Sequence, residues 1–142
     1  NSVAVMNMLK LSRITGDVKW AELAEKTIRA FSEDIYRAPT GYTLMLSAFL
    51  FDTNKSKEIV IVGNGKDDKT REFINAFRSK YSPHKVLLFK DTSLNNNQLD
   101  QLANWTSTQY SIDDKPTAYI CKNFACNQPT NDLNTALSLL NE

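Results

Sequence analysis

The chain has 142 residues, 42% hydrophobic and 23% charged, with 17 Lys or Arg against 16 Asp or Glu. That length fits one ordinary domain with a core of its own. The near-balance of charge, six basic to five acidic residues over 1–50 and eleven to eleven thereafter, excludes the one-signed face that a nucleic-acid or membrane-surface partner requires. The longest apolar run, residues 44–51, is far short of the roughly 20 residues that span a bilayer. Two cysteines in so long a chain make no disulfide framework, which points to a reducing, cytosolic compartment.

Asn1-Ser2 passes straight into Val3-Ala4-Val5-Met6-Asn7-Met8-Leu9, without an initiator Met, as in a chain entered partway. Val5, Met6, Met8, Leu9, Leu11 and Ile14 cover well over half of a predicted first helix, more than a surface helix buries. Gly16 supplies its stop and Asp17 a cap for the next helix. From Val18 to about Ile35, Trp20, Leu23, Ala24, Ile28, Phe31 and Ile35 follow the three-and-four spacing, and the short turn at 16–17 predicts an antiparallel helical hairpin. Pro39 opens a third helix to about Phe51 that is apolar nearly all round and is expected to be buried.

A polar linker, 52–57, marks a change of grammar. Ile59 to Val62 is a short β-branched run closed by Gly63, as in a parallel strand covered on both faces. Asp68 to Tyr81 reads as an amphipathic helix, Val86 to Phe89 as a second strand, and Leu94 to about Tyr110 as a weaker helix whose start the run Asn95-Asn96-Asn97 obscures. Pro116 precedes a third strand, Thr117 to Cys121, and Asp132 caps a last helix carrying Leu133, Ala136, Leu137 and Leu140. The alternation gives an α/β fold: an N-terminal helical segment (1–52), then a small three-stranded parallel β-α-β-α-β-α layer (58–142).

No stretch assembles a complete catalytic set. Gly63-Asn64-Gly65 lies at a strand's carboxyl edge, where open α/β sheets bind ligands, and makes a nucleotide-binding module one alternative. Against it, Asp67-Asp68 puts carboxylates where a phosphate needs amide donors, so a turn leading to an acidic helix cap is preferred. The single histidine, His84, has no partner histidine for a metal and is expected on an exposed loop; neither a metal nor a cofactor is called for. Cys121 and Cys126 are the strongest redox candidates, at a strand end and in the loop beyond it. The readings open to them are structural thiols, a redox or disulfide pair, or part of a metal or intermolecular site. Phe124 between them reads as a plug packing the loop down.

At Cys121-Lys122-Asn123-Phe124-Ala125-Cys126, with Pro129 three residues on, the chain resembles the C-terminal end of the YyaL-type family, related to spermatogenesis-associated thioredoxin-domain proteins. The resemblance also runs through Asn1-Ser2, Thr15-Gly16-Asp17 and Glu58 to Gly63. It implies a larger protein with an N-terminal thioredoxin-like domain and an (α/α) toroid similar to sugar epimerases and six-hairpin glycosidases. This chain would then close the toroid as a scaffold without a complete active site of its own, with a carbohydrate-like substrate handled elsewhere. Its partners would be the remaining toroid and the thioredoxin-like domain, and the over-apolar helices would self-associate when isolated. Cys121, Asn123, Phe124, Cys126 and Pro129 match the family motif at the loop, the middle pair and the proline as loop support.

Overall fold

In the computed structural model, which describes residues 1–53, 56–94 and 98–140, helix α1 (Ser2–Thr15) stops at Gly16. The Gly16 backbone is left-handed (φ 79°) and its N–H donates to the Ser12 carbonyl, the closure that a glycine makes cheaply. Helix α2 (Val18–Ala30) starts on Asp17, whose carboxylate accepts from the Lys19 amide at 3.0 Å. The expected run to Ile35 is interrupted at Phe31 and resumes as α3 (Ser32–Arg37). Pro39 opens a 3₁₀ turn that leads into α4 (Thr43–Thr53). Helix α1 packs against both α2 and α4, around Val5, Leu9, Ala24, Met45, Ala48 and Phe51. The expectation of a fully buried third helix holds for one side only: Met45, Ala48 and Phe51 are buried, whereas Leu44, Phe49 and Leu50 face solvent.

The sheet has four strands in the order β2-β1-β3-β4: β1 (Lys57–Gly63), β2 (Lys85–Asp91), β3 (Thr117–Lys122) and β4 (Ala125–Cys126). Helix α5 (Asp68–Ser79), capped by Asp67, makes the crossover from β1 to β2, which run parallel. Ile59, Ile61, Ala118 and Ile120 meet α5 and the terminal helix α7 (Leu133–Ser138) through Phe73, Phe77 and Ala136. On the opposite face, Val60, Val62 and Leu88 pack with Ile14 and Trp105. The alternation of elements and the α/β class stand as read from the sequence.

The direction of the third strand does not. β3 runs antiparallel to β1, with Glu58 opposite Cys121 and Val62 opposite Thr117, so the sheet is mixed rather than parallel. The cause lies in the connection from β2. Among the described residues, the long helix expected over 94–110 is replaced by a short one, α6 (Gln98–Leu102), followed by a 3₁₀ turn at Asn104–Thr106. A tight turn through Asp113 and Asp114, both at positive φ, feeds β3 in from the carboxyl end of β1. The asparagine run 95–97 and residues 54 and 55 of the polar linker lie outside the described residues.

Phe77, fully buried between α5 and the sheet, anchors this arrangement. Phe77→Ala is expected to lower the unfolding free energy by about 3–5 kcal/mol in urea denaturation. A loss below about 1 kcal/mol would remove α5 from the core.

Candidate functional site

Cys121 and Cys126 face each other across β3 and β4 and are joined as a disulfide. The two-residue turn between them, Asn123-Phe124, has φ 51° and 62°, the left-handed pair that tight hairpins require. Asparagine tolerates that conformation; a bulky phenylalanine does so only where its surroundings hold it. Phe124 is held three ways. Its N–H donates to Glu58 Oε2 at 3.1 Å, its ring meets Trp105 edge-on at 5.2 Å, and the sulfur link closes the hairpin behind it. With a sequence separation of only 5 between the cysteines, the bond stabilises the fold by about 2 kcal/mol on loop-closure grounds.

The hairpin tip reaches the helices through charge. Arg13, near the end of α1, donates to Asn123 Oδ1 at 2.8 Å and lies 3.6 Å from Glu58 Oε1 and 3.9 Å from Asp52. Glu58 is fully buried. Burial pushes its carboxyl pKa up, opposed by the Phe124 amide and the Arg13 charge. Trp105 donates its indole N–H to the Ile14 carbonyl at 2.9 Å and packs against Gly16, so α1, β1, the 3₁₀ turn and the hairpin converge on one junction. The two cysteines differ in exposure: Cys121 is buried and Cys126 is exposed, with Gln109 Nε2 at 3.8 Å from Cys126 Sγ.

Because β3 is antiparallel, the cysteine hairpin sits at the amino edge of β1 and not, as its place after a parallel strand implies, at the ligand edge beside Gly63. At that other edge, the Gly65 amide donates to Asp91 Oδ1 at 3.0 Å and the Lys66 amide to Asn64 Oδ1 at 2.9 Å. The Gly65 hydrogen bond is the main cause that lowers the Asp91 pKa. A carboxylate thus takes the donor that a phosphate would need, and a Cβ on Gly65 would stand 2.5 Å from Asp91 Oδ2. Nearby, buried Lys90 is neutralised by Asp100 at 2.9 Å and donates to the Thr106 carbonyl. Pro129 is half-buried one residue ahead of Thr130, whose backbone pairs with Ala118. His84 is half-buried, its ring 6.3 Å from that of Phe51, rather than on an exposed loop. Among the described residues, no three His, Cys, Asp or Glu side chains are placed to hold a metal ion.

Arg13, Glu58 and Trp105 were not singled out from the sequence. Two of them carry a signal: Glu58 extends the alternate-residue stripe of Val60 and Val62, and Arg13 continues the helical stripe of Val5 and Leu9. A charge on an inward stripe asks for an opposite charge on another.

The chain is similar to known proteins over nearly all of its length. Spermatogenesis-associated protein 20 of Homo sapiens is 33% identical over 132 residues, covering 93% of this chain and 17% of that protein. The chain belongs to the spermatogenesis-associated protein 20 family. The rat (Rattus norvegicus) protein of that name is 33% identical over 135 residues and the mouse (Mus musculus) protein 31% over 132, again covering 93% of the chain and 17% of each relative. The chain thus spans about a sixth of the length of these relatives. The resemblance read at the cysteine loop is to the same spermatogenesis-associated, thioredoxin-domain family. No family model matches the chain, and no solved structure matches it.

The raised Glu58 pKa has a sign. The folded state holds this proton more tightly than the unfolded chain does, so the contribution to stability is full below the ordinary carboxylate range and is lost as pH rises through the folded value. The stability of the native sequence minus that of Glu58→Gln, from urea midpoints, is therefore expected to fall between pH 4 and pH 8. A difference that grows with pH would reverse the assignment.

Proposed function

We propose that this chain is the C-terminal structural unit of a longer cytosolic protein, where its helices close an (α/α) toroid like those of sugar epimerases and six-hairpin glycosidases. Catalysis on a carbohydrate-like substrate belongs to the other parts of that protein. The observation that carries the reading is the outer surface of the helical layer. Val3 on α1, Val18 and Leu23 on α2, and Leu44, Phe49 and Leu50 on α4 are all between 42% and 64% exposed. Apolar side chains spread over three neighbouring helices need a cover, and the relatives have the length to supply it, since the shared region is 17% of theirs. Among the described residues, no helix is long and apolar enough to cross a membrane. The partners are the remaining toroid helices and the thioredoxin-like domain, with self-association as the substitute when the chain is alone.

The test is to express this chain beside the preceding region of the longer protein. The two are expected to co-purify, and the double change Leu23→Glu with Phe49→Glu to weaken that association at least tenfold while moving the chain's own unfolding by no more than about 1 kcal/mol. A chain that sediments as a monomer at every concentration and ignores the preceding region would overturn the reading.

A second reading, thiol redox chemistry at Cys121 and Cys126, is favoured by their disulfide and by the exposure of Cys126. In a reducing cytosol such a bond is of the transient, catalytic or sensing kind. Native-state alkylation decides it: both thiols should become reactive after a mild dithiol reductant, and a pair that reacts only once the protein is denatured has no such role.

A further inference from the structure

We infer that the Cys121–Cys126 bond is an exchange site for a dithiol reductant, and that its redox state sets how firmly α1 is clamped to the sheet. This rests on the thiol reading of the same pair and adds the co-substrate and the consequence.

The chemistry follows from access. A thiolate of the reductant attacks Sγ of the exposed residue Cys126, a new sulfur–sulfur bond forms there, and the bond to Cys121 breaks with its electron pair leaving on Cys121 Sγ, which takes up a proton. The second thiol of the same reductant then attacks its own sulfur in the mixed disulfide, closing the reductant's ring and releasing Cys126 as a thiolate, which takes up the proton that the second thiol gives up. Two electrons and two protons pass to the protein, and the dithiol becomes a disulfide. A dithiol suits the site because its second thiol is already at the mixed disulfide and can outrun the return attack of Cys121, which lies directly opposite Cys126 across the hairpin.

The coupling follows from what the hairpin holds. β4 is two residues long, and the turn it closes keeps both Asn123 and Phe124 at positive φ. For L-residues that conformation is disfavoured, and a strand of two residues supplies too little pairing to hold it once the covalent link is open. The contacts that depend on the turn reach other parts of the chain: Asn123 Oδ1 to Arg13, the Phe124 amide to Glu58, and the Phe124 ring to Trp105, which in turn binds the Ile14 carbonyl. Opening the bond releases the last turn of α1 from the amino edge of β1. Linkage makes the effect reciprocal: weakening the α1 side must make the bond easier to reduce.

The experiment equilibrates the chain in dithiothreitol buffers of graded oxidised-to-reduced ratio and reads the pair by alkylation and mass. Arg13→Ala and Trp105→Leu are expected to shift the midpoint about tenfold toward the reduced form, and Glu25→Ala, on the exposed side of α2, to leave it in place. In the unaltered chain, amide exchange of α1 is expected to rise at least tenfold on reduction while that of α5 is unchanged, a measurement that needs no variant to fold. A pair that cycles with α1 exchange equal in both states overturns the clamp and leaves the thiol reading standing. A pair that no dithiol opens in the native chain overturns both.

Discussion

A carboxylate buried at the start of the central strand obliges three separate parts of the chain to meet around it. Glu58 has no exposed surface, and an ion in that position is costly unless charge and hydrogen bonds replace the water it lost. Arg13 supplies the charge from the helical layer, and the Phe124 amide supplies a hydrogen bond from the hairpin tip. Neither partner is near Glu58 in sequence. The pair therefore acts less as a source of stability than as a constraint on assembly, because a docking of α1 or of the hairpin that misses Glu58 leaves a buried charge without a partner.

Trp105 performs the apolar half of the same task. Its indole N–H is satisfied by the Ile14 carbonyl, its ring receives Phe124, and its edge rests on Gly16, where a Cβ would stand only 3.2 Å from the ring. Gly16 is thus required twice, for the left-handed stop of α1 and for the close approach of the indole. The disulfide adds a covalent closure to a turn whose second residue, Phe124, would not choose that backbone unaided.

Much of the local structure was legible. Gly16, Asp17, Asp67 and Asp132 act where their chemistry places them, as a stop and three caps, because those signals depend on neighbours within a turn of helix. The two cysteines were identifiable as the pair to watch, although spacing alone left their pairing open. The edge of the sheet on which they lie was not legible, since it depends on how far the 92–116 connection travels. The apolar spacing there is too weak to distinguish one long helix from a short helix followed by a 3₁₀ turn.

The sequence by itself determined the α/β class, the helical hairpin, the strand cores, the caps and the family to which the loop motif points, all carried by short-range periodicity or by identity of residue. Only the tertiary structure decided that the third strand reverses, that the cysteine hairpin stands at the amino edge of β1, and that Arg13, Glu58 and Trp105 are its supports. The physical reason is range. A helix cap is settled over about three residues, whereas the desolvation of Glu58 is settled by groups 45 positions upstream and 66 downstream, which the chain brings together only by folding.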